Sequence, residues 1–262
     1  MSTDTQAKND PHIEALFRAG AHFGYSKSRR HPSTRSYVFG LKNGAEIIDL
    51  EKTKDLLATA EHFVRMLAAE GKTLMLVGTK KETQAAIKEA SESLGLPYVS
   101  HRWIGGTLTN WNEIKKRLLR LEDLSSKRER GELSVYTKRE RGVIDREIAK
   151  LELLFGGIAS LRSLPHALLI IDPKEEHAAV AEAKRLRLPV VALASTDCDL
   201  ADIDYPIVGN DAARASVRYF IEVLVKAFAE GRTAGMPAAP EPEGTPEDDA
   251  VVKVPVLEET IA

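Results

Sequence analysis

The chain has 262 residues, 29% of them charged and 43% hydrophobic, with a formal net charge of −2. This is globular composition, sufficient for one or two domains. The longest apolar runs, Ala167 to Ile171 and Pro189 to Ala194, are too short to cross a bilayer, the first ten residues lack a signal-type apolar stretch, and the lone Cys198 can form no internal disulfide or multi-cysteine zinc site. Membrane, secreted and disulfide-stapled classes are set aside, and a soluble cytoplasmic protein is expected.

In chain order, residues 1–10 read as a disordered start. Asp10-Pro11 can cap and open a helix running to about Ala19. Gly20-Ala-His-Phe-Gly24 ends it, and a loop rich in bases and hydroxyls follows from Tyr25 to Ser36. Asn43-Gly44 between two short β-rich runs predicts a hairpin. The spacing of Leu56, Leu57, Ala60, Phe63, Val64 and Leu67 predicts a helix over 51–70, stopped by Gly71. Thr73-LMLVG, a continuous apolar run ending in glycine, reads as a buried parallel strand, 80–94 as a helix and Tyr98-Val99 as the start of a short strand. The second half repeats the alternation: a strand from Ala167, a helix over about 175–187, a strand from Pro189, a short strand from Asp204 and a helix over 210–230. Such alternation predicts an open, doubly wound parallel sheet covered on both faces.

Residues 109–155 interrupt that alternation. Trp111, Ile114, Leu118, Leu121 and Leu124, then Ile144, Ile148, Leu151 and Phe155, form narrow apolar seams on two densely charged helices. They suggest an antiparallel coiled-coil hairpin projecting from the sheet; two ordinary core helices are the alternative. The expected organisation is an α/β domain built from 11–108 and 156–234, an inserted hairpin over 109–155, and an acidic disordered tail over 235–262.

Charge is unevenly distributed. Residues 18–54 carry eight bases and three acids, 100–150 thirteen bases and eight acids, and 237–262 seven acids and one lysine. Basic stretches attract phosphate backbones, although solvated faces look the same by charge alone. Gly78-Thr-Lys-Lys81 opens a helix after a buried strand, where phosphate binds in doubly wound folds, but it lacks the spacing of a phosphate loop. Arg102-Trp-Ile-Gly-Gly-Thr-Leu-Thr-Asn110-Trp111 could meet nucleic acid through Arg102 and Asn110, or serve as a tight junction in which Trp103 and Trp111 are core and Thr109 caps a helix. Cys198, among Asp197, Asp199, Asp202 and Asp204, reads as an inert thiol. Those acids with His22 could attract a cation, but no ligand spacing is recognisable. No acid–base or nucleophile constellation is visible.

Taken together, Gly20-AHFG, Tyr37-VFGLKNG-AEIIDLEKT, Leu76-VGTKKE, Arg102-WIGGTLTNW, Leu153-LFGGI, Leu164-PHALLIID, Pro189-VVALASTDCD and Ile203-DYPIVGND resemble the family of ribosomal protein two of the bacterial small subunit, in order from about residue 12 to 230. The resemblance implies a flavodoxin-like α/β domain with an inserted coiled-coil hairpin and a non-enzymatic, cofactor-free, ribosome-bound role. It also implies binding of 16S ribosomal RNA between head and body, contacts with neighbouring small-subunit proteins, and support for docking of ribosomal protein one. With the basic stretches, it nominates Lys27, Arg29, Arg30, Arg35, Lys42, Lys80, Lys81, Arg102, Asn110, Lys115 and Lys116 as RNA-contacting. The chain departs from the family where Tyr25 replaces a usual histidine, where Arg30-His-Pro-Ser33 replaces a tryptophan-asparagine-proline-lysine pattern, at Asp172-Pro173, and where Leu200 replaces a proline. Contacts made by the family's residues at the first two places cannot be carried over; Arg29, Arg30 and Arg35 supply charge there instead.

Overall fold

The computed structural model describes residues 10–235; the remaining residues of the expected disordered start and acidic tail lie outside the described residues. The chain opens on α1 (Pro11–Arg18), with Asp10 accepting the His12 backbone N–H at 3.0 Å and Pro11 in the first position, where its missing N–H does no harm. β1 (Phe23–Ser26) and two 3-10 turns, Lys27–Arg29 and Pro32–Tyr37, lead to β2 (Val38–Lys42) and β3 (Ala45–Ile48). Asn43 and Gly44 both take positive φ, 51° and 82°, the turn geometry that matches strand twist.

α2 (Leu50–Ala69) follows, capped by Asp49, which accepts from the Glu51 N–H. Then come β4 (Leu74–Val77), α3 (Lys81–Leu94), β5 (Tyr98–Val99), α4 (Trp111–Glu129), α5 (Lys138–Phe155), β6 (Ala167–Ile171), α6 (His177–Leu186), β7 (Val190–Ala194), β8 (Tyr205–Val208) and α7 (Arg214–Gly235).

The sequence reads 25–36 as loop throughout; the structure differs. β1 pairs antiparallel with β3, giving a three-stranded sheet in the order β1-β3-β2. β1 has a register irregularity between Phe23 and Ser26 and no buried residue, so it lacks the alternation that betrays a strand.

The main sheet is wholly parallel in the order β5-β4-β6-β7-β8, so the winding reverses between β4 and β6. Strands β4, β6 and β7 are buried on both faces, which explains their unbroken apolar sequence. Leu74, Leu76, Leu169, Ile171, Val191 and Leu193 face α2, α3 and α7. Met75, Val77, Leu168, Ile170, Val190 and Ala192 face α6 and the seam residues of α4 and α5. Helices α2 and α7 meet backbone to backbone: a Cβ added at Gly231 would lie 2.1 Å from the Arg65 carbonyl oxygen.

In α4 and α5, Ile114, Leu121, Leu124, Ile148, Leu151 and Phe155 are buried, and Arg120 reaches across to Glu147 at 3.2 Å. Thr137 and Glu140 form a reciprocal capping box that starts α5.

Candidate nucleic-acid interface

Open parallel sheets take ligands beyond the carboxyl ends of their strands, at the reversal in strand order. Here that crevice is filled from within. Lys80, just after β4, ion-pairs with Asp172 after β6 and reaches Asp211 after β8 at 3.1 Å. Asp172 adopts a left-handed backbone, φ 63°, which an aspartate tolerates through local bonds; its Oδ1 accepts the Lys174 N–H at 3.1 Å and the Glu175 N–H at 3.3 Å. Glu176 accepts the Thr79 N–H at 2.6 Å, occupying the approach to α3. Burial first, then repulsion from Asp172, push the Asp211 carboxyl up to about 7 against the pull of Lys80. Burial and the surrounding carboxylates raise the Cys198 thiol well above its ordinary value, in keeping with an inert sulfur.

The segment 20–36 lies across this filled crevice. Thr196 is its anchor: the hydroxyl accepts the Tyr25 N–H at 3.0 Å, and the carbonyl accepts the His31 N–H at 2.9 Å and the Thr34 hydroxyl at 2.7 Å. Ser33 donates to the Cys198 carbonyl at 3.4 Å and accepts from the Leu200 N–H at 3.2 Å. Asn210 donates its backbone N–H to Ala21 O and its side-chain amide to Gly20 O, each at 3.0 Å. The hydroxyls of Ser33 and Thr34 thus turn toward the loop after β7. Lys27, Arg29, Arg35 and Lys42 are exposed, and the Arg29 guanidinium lies 5.6 Å from the centre of the Tyr25 ring.

The loop before α4 is organised by one carboxylate. Glu182 is 7% exposed. Its Oε1 accepts from Trp103 Nε1 at 3.0 Å and Gly106 N at 2.8 Å, and its Oε2 from Leu108 N at 2.9 Å, Thr109 N at 3.0 Å and Thr109 Oγ1 at 3.1 Å. Burial alone would raise this carboxyl, but the donors from Thr109, Trp103, Gly106 and Leu108 outweigh it and hold the group below the ordinary glutamate value. Gly106, φ 90°, supplies the left-handed turn the nest requires. Arg102 and Asn110 are left exposed at the two ends of the loop. Beside it, a cleft of about 490 Å³ is lined by Asn110, Arg117 and Lys150 together with Glu113 and Glu147.

The nominated residues therefore divide. Among the described residues, Lys27, Arg29, Arg35, Lys42, Lys81, Arg102 and Lys115 are exposed and make no ion pair, while Lys116 pairs with Glu113 at 2.6 Å on the surface. Arg30 is drawn to the buried Glu46 at 3.0 Å. The expectation of two available lysines at the start of α3 is corrected, because two carboxylates already hold the Lys80 ammonium. Thr109 does not cap α4: Asn110 stands at the cap without a side-chain bond, and the Thr109 hydroxyl goes to Glu182. Trp103 is buried, whereas Trp111 is only partly so.

The grouping of His22 with the acids of 197–204 is not formed. His22 stacks on Phe17 and meets Phe23 at a tilt, Asp202 pairs with Lys184, and Asp204 accepts the Val190 N–H at 2.8 Å. The sequence reading missed Glu182 and Thr196. A signal for the first existed: Glu182 is an acid sharing the inward stripe of α6 with Ala179, Val180 and Ala183.

The ligand crevice of this parallel α/β sheet is occupied by the protein's own side chains, and exposed bases that make no ion pair among the described residues rim it. Comparison with known proteins gives the family. Residues 16–231 match the family model for ribosomal protein S2. The chain is 41% identical over 249 residues to the small ribosomal subunit protein uS2 of Campylobacter concisus (strain 13826), covering 93% of this chain and 95% of that protein. It is 43% identical over 217 residues to the small ribosomal subunit protein uS2 of Campylobacter fetus subsp. fetus (strain 82-40), covering 83% and 84%. The chain belongs to the ribosomal protein S2 family, whose members are structural and not enzymatic.

Proposed function

We propose that the chain is a structural constituent of the small ribosomal subunit and acts there by binding 16S ribosomal RNA; the family match over residues 16–231 carries this reading. In this reading the protein works in the cytoplasm, bound to the ribosome between head and body of the subunit, beside neighbouring small-subunit proteins. It supports assembly and translation and helps ribosomal protein one to dock. The sheet order is the flavodoxin-like one, and α4 and α5 act as an antiparallel coiled-coil insert over 109–155 between the two halves of the α/β domain, 11–108 and 156–234.

The chemistry is electrostatic clamping. Lys27, Arg29, Arg35 and Lys42 on the rim, Lys81 at the start of α3, and Arg102, Asn110, Lys115 and Lys116 near the base of α4 contact phosphate and sugar, and recognition follows RNA shape more than base identity. Arg30 contributes by fixing the rim against Glu46 at 3.0 Å. Lys80 holds the floor under it.

The test is binding of the full chain to 16S ribosomal RNA across a salt series, with Lys27, Arg29 and Arg35 replaced by alanine. Each lost phosphate contact should flatten the log–log salt dependence by about 0.7–0.9. An unchanged affinity and slope would remove the rim from the interface. In gradients of native lysate the chain should sediment with small subunits and be partly released by high salt; sedimentation only with free protein would overturn the ribosomal reading.

A further inference from the structure

We propose that the apolar groove between α3 and α7 is the docking site for a segment of this same chain, residues 251–259, whose sequence VVKVPVLEE lies outside the described residues. The groove has a volume of about 330 Å³. Ile221 and Val225 of α7 are buried at its floor, and α3 contributes the small side chains of Ala86 and Ala90. Alanine fills little of the space between two helices, so the outer edge of this core stays open to a further apolar chain.

Three observations name the occupant. The first is reach. α7 runs along the groove and ends at Gly235, packed against the Ala69 carbonyl, and near that end Arg232 donates to the Leu94 carbonyl at 3.0 Å. Residues 236–250 follow, rich in proline and acid. A connection of that length spans up to about 45 Å, more than twice the roughly 20 Å of helix from Gly235 back to Glu222. Closing so short a loop gives an effective concentration in the millimolar range, so a weak affinity for the groove suffices.

The second is pattern. Val251, Val252, Val254, Val256 and Leu257 interrupt a stretch otherwise dominated by proline, glycine and acid. Pro255 opposes a helix and valine favours an extended chain, which puts Val252, Val254 and Val256 on one face. The third is charge. Arg218 alone serves both Glu89, at 3.0 Å, and Glu222, at 2.7 Å, leaving one negative charge over. Further along α7, Lys226 and Arg232 make no ion pair among the described residues. The segment carries the complement, Lys253 first and then Glu258 and Glu259. Lys253 to Glu258 spans about 16 Å when extended, and Glu222 to Arg232 about 15 Å of helix, so both ends pair at once when the segment runs antiparallel to α7. Docking there closes the acids of 241–249 into a loop at the end of the sheet away from the basic rim, where they do not compete with phosphate.

The experiment uses the full chain with a nitroxide on Thr260→Cys; Cys198 is buried and escapes the label. The methyl signals of Ile221 and Val225 should be lost to paramagnetic broadening and return when the nitroxide is reduced, while those of Ile148 and Val180, on the opposite face of the sheet, should persist throughout. Val254→Asp with Val256→Asp, changes confined to the segment, should restore the lost signals. Lys226→Glu should restore them in part, and adding Glu258→Lys to it should remove them again. Signals that persist beside the nitroxide, or a loss unaffected by Val254→Asp with Val256→Asp, would overturn the proposal. So would a loss that appears only when nitroxide-bearing chain is mixed with isotope-labelled chain, which would assign the groove to a second copy.

Discussion

Replacing Glu182 by alanine should unfold the loop that carries Arg102 and Asn110. The substitution strips five donors of their acceptor, among them Trp103 Nε1 and the Leu108 N–H, which belong to residues only 8% and 2% exposed. A buried donor left without a partner costs about 1–3 kcal/mol, toward the upper end where the lost acceptor was charged. Gly106 and Thr109 are less enclosed and can turn to water. Two stranded donors together with the loss of the carboxylate imply about 3–5 kcal/mol, a large share of the roughly 5–15 kcal/mol that holds a domain together. For a chain of this size that shifts the thermal midpoint down by about 10 °C.

Scanning calorimetry measures the shift, and Trp103 fluorescence reports the loop directly. Glu182→Gln should recover only part of the loss, because its amide would present hydrogens to two of the donors. The pH dependence has a definite sign. A carboxyl held below its unfolded value adds stability that is present above about pH 4.3 and is lost as pH falls through the folded value, so the gap between wild type and Glu182→Gln should narrow in acid. A midpoint lowered by less than about 2 °C in Glu182→Ala would refute the idea that this carboxylate organises the loop.

Two further outcomes follow from close contacts. Gly231→Ala should destabilise by about 1–3 kcal/mol, since a Cβ there meets the Arg65 carbonyl at 2.1 Å and α2 must move away from α7; a melt indistinguishable from wild type would contradict that packing. Thr34→Val keeps the shape but removes the 2.7 Å bond to the Thr196 carbonyl, so the midpoint should fall by the equivalent of about 1–2 kcal/mol and proteolysis within 25–36 should accelerate. Equal cleavage rates would show that the segment is held by something other than Thr196.

The parallel sheet was legible because β4, β6 and β7 are buried on both faces and are written as continuous apolar runs. The helices were legible through their stripes, and the hairpin turn through Asn43-Gly44, whose backbone conformation few other pairs adopt. β1 was not, because its partner lies about twenty residues away and none of its four residues is buried. The inward turn of Lys80 was equally hidden: its partners, Asp172 and Asp211, are distant in sequence, and a lysine at a helix start looks the same whether it faces a phosphate or a carboxylate. Position alone made the start of α3 resemble an anion site; only the fold shows that the protein's own acids arrive there first. Glu182 could have been found, since an acid in the middle of an alanine-rich inward face needs several donors to stay charged.

The tether at Thr196 has a consequence for the order in which the chain becomes ordered. Tyr25 waits for a partner 171 residues downstream, and Gly20 for one 190 residues downstream. Long-range closures of this kind form late, after local helices and turns. During synthesis the basic segment 20–36 therefore emerges well before its partners and settles only after them, with its arginines exposed and its tethers unmade until nearly the whole sheet has been made.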